Sequence, residues 1–206
     1  MMDGSPKPSQ ETEQADAPGA GAAVDRTIVL VGLMGAGKTA VGKRLARRLA
    51  LPFIDADHEI ERAAGCTVTE IFQYWGEPAF RDCERRVIRR LLTDGRQVLS
   101  TGGGAFMDPE TRALVLDQSI AIWLRADLEV LLTRTSRRNT RPLLNDGDPR
   151  EILTALMAKR HPIYAQAHLV VDSTEDSIDH TVDQVVAALV AHLGHEFDHT
   201  DVPTNG

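Results

Sequence analysis

The stretch GLMGAGKT, residues 32–39, lies between the apolar segment RTIVLVG and the segment KTAVGKRLARRLA, whose apolar residues recur at helical spacing. It fits the pattern G-x-x-x-x-G-K-[ST] and has the strand before it and the helix after it that this pattern requires. Its glycines let the backbone wrap around phosphate oxygens, and the first amides of the helix attract an anion. We therefore predict a phosphate-binding loop (P-loop) for a nucleoside triphosphate. Its expected binding residues are Gly32, Gly35, Ala36, Gly37, Lys38, Thr39 and Ala40.

Two side chains of the P-loop can act directly on the triphosphate. Lys38 can reach the β- and γ-phosphates, and the hydroxyl of Thr39 can bind Mg²⁺. We therefore predict Mg²⁺ as the cofactor, bound together with the nucleoside triphosphate.

Four more strand-like segments follow the P-loop, and helical periodicity occupies the intervals between them. This alternation predicts an α/β fold, in which helices cover both faces of a parallel sheet. We expect a helix to start at Asp108 and Pro109, another to run from Pro149 and stop before Pro162, and the closing helix to end at Gly194. The four strand-like segments are LPFIDAD, QVLS, SIAIWL and HLVVD.

The net charge of −7 lies at the two ends of the chain. Residues 1–25 carry −4 and residues 194–206 carry −3, whereas residues 26–193 are neutral. The ends have little apolar surface to bury, so we expect a disordered acidic tail over 1–25 and a flexible tail over 194–206. The neutral body, 26–193, has the length of a single α/β domain.

Composition argues against several classes of protein. No apolar run reaches the length of a membrane span, and the N-terminus lacks the pattern of a secretory signal. The chain has neither a basic tail nor an aromatic and basic stripe, which argues against nucleic acid as a partner. Cys66 and Cys83 lie in no metal-ligand spacing and suit a reducing cytoplasm. We expect a cytoplasmic monomer that acts on small molecules, with no membrane partner.

Two acidic residues follow the second strand-like segment, in the sequence FIDAD. Asp55 and Asp57 would share one side of a strand at the carboxyl edge of the sheet, where ligands bind. One can lie near the metal while the other faces an acceptor hydroxyl. A helix cap at Asp57 would explain one of the two acids, but less readily both.

The third strand-like segment runs directly into Gly102, Gly103 and Gly104, in QVLSTGGGAF. Glycine loses more entropy on ordering than any other residue, so three in a row carry a local cost. A tight turn explains one or two of them, and a ligand pressed against the backbone explains all three.

Two arginines lie near predicted helix ends, where they could meet at the ligand crevice. Arg81 follows an aromatic residue near a helix start, and Glu84 could fix it from the next turn. Arg160 ends a helix just before a proline. Each is more often structural when taken singly, but a pair of arginines suits a small carboxylate, which arginine binds in bidentate fashion.

Six motifs in this order resemble the shikimate kinase family, within the P-loop nucleoside monophosphate kinase group. They are GLMGAGKT, DAD at 55–57, FRDCE, TGGG, RNTRPLL and KRHPIY, and the resemblance covers nearly all of residues 27–193. It implies a three-layer fold with a five-stranded parallel sheet, an acceptor-binding segment over about 57–92 and a mobile lid over about 135–149. The implied reaction moves the γ-phosphate of MgATP to the 3-hydroxyl of shikimate, a step of chorismate and aromatic amino acid biosynthesis.

The resemblance also implies a role for each matching residue. Lys38, Asp57 and the lid residue Arg141 would be catalytic, and Arg134 would lie against adenine. Asp55 would bind Mg²⁺ through water, beside Thr39. Ala40 departs from the family, which often has a second hydroxyl residue there. The implied shikimate-binding residues are Asp57, Arg81, Gly102, Gly103, Gly104 and Arg160.

Two other functions remain open at this point. Another small-molecule kinase of the same fold, for gluconate or a nucleotide, would share the P-loop. A nucleotide-dependent binding switch would also share it, although the sequence contains no Asn-Lys-x-Asp guanine reader.

Overall fold

A computed structural model of the protein describes residues 24–136 and 147–198. The expected acidic tail up to residue 23, most of the expected lid with Arg141, and the tail beyond residue 198 lie outside the described residues.

Five parallel strands form one sheet, as predicted, and their order in the sheet is β2-β3-β1-β4-β5. Every residue of the central strands β1 and β3 is buried, because helices cover both of their faces. The register aligns the ends of β1, β2 and β3, where Asp55 pairs with Ser100 and Ser100 pairs with Leu30. The strands are β1 (Thr27–Val31), β2 (Phe53–Asp55), β3 (Val98–Ser100), β4 (Ser119–Arg125) and β5 (Leu169–Asp172).

Seven helices of the described residues connect and cover these strands. The chain reverses its direction across the sheet after β2, so right-handed crossovers place α1 on one face and α3, α4 and α6 on the other. Helices α1 and α7 pack against each other, as do α3 and α4. The helices are α1 (Lys38–Arg48), α2 (Ala56–Ala64), α3 (Val68–Thr93), α4 (Pro109–Gln118), α5 (Leu128–Ser136), α6 (Pro149–Tyr164) and α7 (Ile178–Asp198).

The predicted start of α4 is confirmed by its cap. The Asp108 carboxylate accepts a hydrogen bond from the Thr111 amide at 2.8 Å, and Pro109 occupies the first turn. Helix α3 is interrupted at Gly76, where φ is 78° and ψ is 176°. Helical periodicity in the sequence covers residues 68–74 and 79–92 as two separate segments, which match the two halves of α3. Arg81 lies in the first turns of the second half.

Three expected boundaries are wrong. Helix α6 continues through Pro162 to Tyr164, whose ring is fully buried and anchors the last turn. Helix α7 continues through Gly194 to Asp198, because Gly194 keeps a negative φ and a helical glycine costs only about 1 kcal/mol. Val24, at the end of the expected tail, is buried in the core, and its carbonyl accepts a hydrogen bond from Arg96.

Within the described part of the chain, no helix has both the length and the apolar character that a membrane span requires.

Candidate active site

The P-loop connects β1 to α1 and depends on glycine at its turns. Gly32, Gly35 and Gly37 have φ of 139°, 83° and 93°, which other residues rarely adopt. A Cβ atom on Gly32 would also lie 2.6 Å from the Leu124 carbonyl oxygen of the neighbouring strand. Ala36 is buried within the loop, and Ala40 lies in the first turn of α1. The loop can therefore keep this path only with the glycines that the sequence provides.

Lys38 folds back over the P-loop. Its Nζ donates hydrogen bonds to the carbonyl oxygens of Gly32 at 2.8 Å and Leu33 at 3.0 Å. These bonds hold a positive charge beside the amides at the start of α1, where an anion binds most favourably.

Thr39 and Asp55 join the P-loop to the end of β2. The Thr39 hydroxyl donates to Asp55 Oδ2 at 3.1 Å, while Asp55 Oδ1 accepts from the Asp57 amide at 3.2 Å and caps α2. The sequence predicts that Asp57 continues the strand, but β2 ends at Asp55 and Asp57 lies in the first turn of α2. The cap is also Asp55 rather than Asp57.

The space above each glycine of the triplet is occupied by a side chain. A Cβ atom on Gly102 would lie 2.9 Å from Asp57 Oδ1, and one on Gly104 would lie 2.5 Å from both terminal nitrogens of Arg81. On Gly103 it would lie 3.3 Å from Arg160 Nη1. Bare backbone therefore lets three polar side chains, from three different helices, converge on one loop.

Arg81 is held by two carboxylates of its own helix. Its Nη1 donates to Glu84 Oε2 at 2.6 Å, which confirms the predicted contact, and its Nη2 donates to Glu77 Oε1 at 3.1 Å. Burial opposes the charge of Arg81, but Glu84 and Glu77 raise its pKa overall. The guanidinium therefore has a fixed position and a permanent charge at the glycine triplet.

Arg160 reaches the triplet from α6. Its Nη1 donates to the Gly103 carbonyl oxygen at 2.9 Å, and the hydroxyl of Tyr164 donates to the same oxygen. The sequence suggests that Arg160 ends its helix, but α6 runs on by one turn to Tyr164.

Two carboxyl groups beside Gly102 have a raised pKa. Burial raises the pKa of Asp57, as does the neighbouring Asp55, while Lys38 opposes the shift. Burial also raises the pKa of Glu84, against the effect of Arg81. Carboxyl groups with raised pKa values in a cleft are suited to proton transfer.

Arg134, near the end of α5, bridges the P-loop and the loop that follows β5. Its Nη1 donates to Ser173 Oγ at 2.8 Å and to the Gly35 carbonyl oxygen at 3.4 Å, and its Nη2 donates to the Thr174 carbonyl oxygen. Burial lowers the pKa of Arg134. The guanidinium plane is thus fixed at the rim of the P-loop.

The structure therefore brings the expected residues of the described chain to one edge of the sheet. Sequence reasoning missed Glu77, Tyr164 and the partners of Arg134. Glu77 lies four residues before Arg81, a spacing that could have shown it. Tyr164 lies four residues after Arg160, but Pro162 between them predicted the end of the helix and hid that spacing.

Comparison with known proteins identifies the family. Residues 34–190 match the family model described as shikimate kinase. A shikimate kinase of Paramagnetospirillum magneticum is 53% identical over 84% of this chain and 89% of its own. One of Novosphingobium aromaticivorans is 52% identical over 82% of this chain and 90% of its own.

A solved structure gives the same result at the level of the fold. The shikimate kinase of Acinetobacter baumannii, in complex with shikimate, superposes with a TM-score of 0.80 at 35% identity. The match covers 84% of this chain and 98% of that one. The family model matches most of the length of this chain, and its relatives are about 50% identical to it in sequence. The chain therefore belongs to the shikimate kinase family.

Proposed function

We propose that this kinase transfers the γ-phosphate of MgATP to the 3-hydroxyl of shikimate, giving shikimate 3-phosphate and ADP. The observation that carries the proposal is the convergence of Asp57, Arg81 and Arg160 on the glycine triplet beside the P-loop. Two arginines and one carboxylate match an acceptor that has both a carboxylate and hydroxyl groups. Family membership supports this acceptor over gluconate or a nucleotide.

The donor set at the P-loop fits Mg²⁺. The Thr39 hydroxyl and the Asp55 carboxylate lie 3.1 Å apart and offer the hard oxygen atoms that this ion prefers. Thr39 would bind the ion directly and Asp55 would bind it through water. When bound with ATP, Mg²⁺ supplies positive charge to the triphosphate oxygens.

The mechanism is mainly positioning and charge neutralisation, as is usual for phosphoryl transfer. Lys38 would neutralise charge on the β- and γ-phosphates from the position that the P-loop carbonyls fix. Asp57 would orient the 3-hydroxyl for in-line attack and accept its proton, for which its raised pKa is suited. Arg81 and Arg160 would hold the carboxylate, and the backbone of Gly102, Gly103 and Gly104 would lie against the ring.

The P-loop and Arg134 would form the binding site for ATP. Gly32, Gly35, Ala36, Gly37 and the first turn of α1 with Ala40 would surround the phosphates, and the fixed plane of Arg134 would lie against adenine. We further propose that the protein acts as a cytoplasmic monomer. Free Cys66 and Cys83 suit that compartment.

Removal of either acceptor arginine is expected to weaken shikimate binding. Arg81→Ala and Arg160→Ala each lose charge-assisted hydrogen bonds, so the KM for shikimate should rise roughly ten- to a hundredfold with little change in the KM for ATP. Steady-state kinetics with each substrate varied in turn measures both constants. Arg47→Ala, on the exposed face of α1, is the matched control. Loss of ATP binding with shikimate binding retained would contradict this placement of the acceptor.

The expected lid contains three arginines, and one of them should matter most. Arg141→Ala is expected to lower kcat far more than it raises the KM for shikimate, because its contact with the γ-phosphoryl group would form mainly in the transition state. Kinetics on Arg137→Ala, Arg138→Ala and Arg141→Ala should be compared side by side. Three equally mild effects would remove Arg141 from the catalytic residues.

An acceptor screen tests the function itself. ADP release is followed with shikimate, quinate, gluconate and nucleoside monophosphates at equal concentrations. Shikimate should give the highest kcat/KM. A higher value for gluconate or for a nucleotide would contradict the proposed acceptor. A rate of ADP release that does not depend on any of these acceptors would favour a nucleotide-dependent switch.

A further inference from the structure

The Gly103 carbonyl oxygen accepts two hydrogen bonds from the same helix. Arg160 Nη1 and the Tyr164 hydroxyl both donate to it, and these residues are one turn apart on one face of α6. A carbonyl oxygen has two lone pairs, so α6 supplies a donor for each of them. The pairing exists only because α6 continues through Pro162.

The side chain of Tyr164 is packed in the hydrophobic core. Its side chain is fully buried, with ring centroids 6.5 Å from Phe106 and 5.9 Å from Trp123. Burial raises the pKa of Tyr164 to about 12, although the charge of Arg160 opposes the shift. The hydroxyl therefore keeps its proton and remains a donor at every working pH.

Gly103 also lies against the P-loop. A Cβ atom on Gly103 would be 3.4 Å from the Gly32 carbonyl oxygen and 3.7 Å from the Met34 amide nitrogen. The Gly32 carbonyl in turn accepts from Lys38 Nζ. A small shift of Gly103 would therefore change the position of Arg160 relative to the P-loop.

We propose that Tyr164 is a positioning residue for the acceptor carboxylate. Its hydroxyl holds the Gly103 carbonyl in place, so that one N–H of Arg160 has a fixed partner and the rest of the guanidinium keeps a constant orientation toward the carboxylate. This role rests on the proposed function, and it acts through Arg160 rather than by contact with shikimate.

Tyr164→Phe keeps the buried ring and removes only the hydroxyl, so it is the informative variant. We expect the KM for shikimate to rise roughly three- to tenfold, the range of one lost hydrogen bond, with a smaller fall in kcat and no change in the KM for ATP. In an Arg160→Ala background the same substitution should change the KM for shikimate by less than about twofold, because the residue through which it acts is gone.

Ser119→Ala is the matched control. Ser119 is also fully buried and donates to a backbone carbonyl, that of Val115 at 2.6 Å, but it lies at the opposite end of β4 from the site. Ser119→Ala should lower the melting temperature about as much as Tyr164→Phe does, because each variant loses one buried hydrogen bond. It should leave the KM values for shikimate and ATP unchanged.

A second measurement needs no substrate. The amide ¹⁵N resonance of Gly104, which shares a peptide unit with the Gly103 carbonyl, should shift in Tyr164→Phe and stay in place in Ser119→Ala. An unshifted resonance, an unchanged KM for shikimate, or equal effects in the wild-type and Arg160→Ala backgrounds would each overturn the proposal. Wild-type turnover is measured first: its absence with shikimate contradicts the proposed function, whereas normal turnover with equal effects in both backgrounds contradicts only the role of Tyr164.

Discussion

Lys38→Ala is expected to lose almost all turnover while the protein stays folded. Lys38 Nζ is held over the P-loop by the carbonyls of Gly32 and Leu33, where it can neutralise charge that develops on the transferred phosphoryl group. Removal of one preorganised donor of this kind costs about a hundred- to a thousandfold in kcat. The stability of the loop should change little, because its turns depend on glycine rather than on the lysine.

The measurement is kcat by ADP release, with circular dichroism and thermal denaturation as checks on folding. Lys43→Ala, on the exposed side of the same helix, is the matched control and should keep wild-type kcat. Normal turnover by a folded Lys38→Ala protein would contradict the assignment of the P-loop as the site of phosphoryl transfer.

Asp57→Asn is expected to lower kcat at least as strongly as Lys38→Ala and, unlike it, to raise the stability of the fold. The amide keeps the shape of the side chain but cannot accept a proton, so kcat should fall by about 10²- to 10⁴-fold. Burial raises the pKa of the Asp57 carboxyl above its unfolded value, so the ionised group destabilises the folded state as pH rises through the folded pKa. At neutral pH the neutral asparagine avoids this cost, and the melting temperature should rise.

The pH profile gives an independent check on Asp57. In the wild type, kcat/KM for shikimate should fall as pH drops through the raised pKa of Asp57, at a higher pH than for an ordinary aspartate. This acid limb should weaken in Asp57→Asn. Asp117→Asn, exposed near the end of α4, is the control for charge loss alone. A variant with near-normal kcat and a lower melting temperature would show that Asp57 is structural.

The P-loop and the sheet could be predicted because their signals are local. A glycine pattern between a buried strand and an amphipathic helix, repeated strand and helix alternation, and the Asp108–Pro109 cap each depend on a few neighbouring residues. Gly76 also separates two periodic segments that the sequence shows directly.

The content of the acceptor pocket could be predicted only in part, because it depends on contacts between distant segments. The sequence shows that Gly102, Gly103 and Gly104 must leave space, but not that Asp57, Arg81 and Arg160 fill it from three helices. The end of α6 was wrong for a related reason. Pro162 disfavours a helix locally, whereas the burial of Tyr164 in the core favours one more turn.

The chemical structure of the product shows directly whether the protein phosphorylates the 3-hydroxyl of shikimate. The protein is incubated with MgATP and shikimate, and the product is examined by ³¹P–¹H correlation NMR. We expect one new phosphate monoester whose phosphorus couples to the proton on carbon 3 of shikimate, formed in step with ADP and at least about a hundredfold more slowly with Lys38→Ala. A monoester on another hydroxyl, or ADP with inorganic phosphate as the only product, would contradict it.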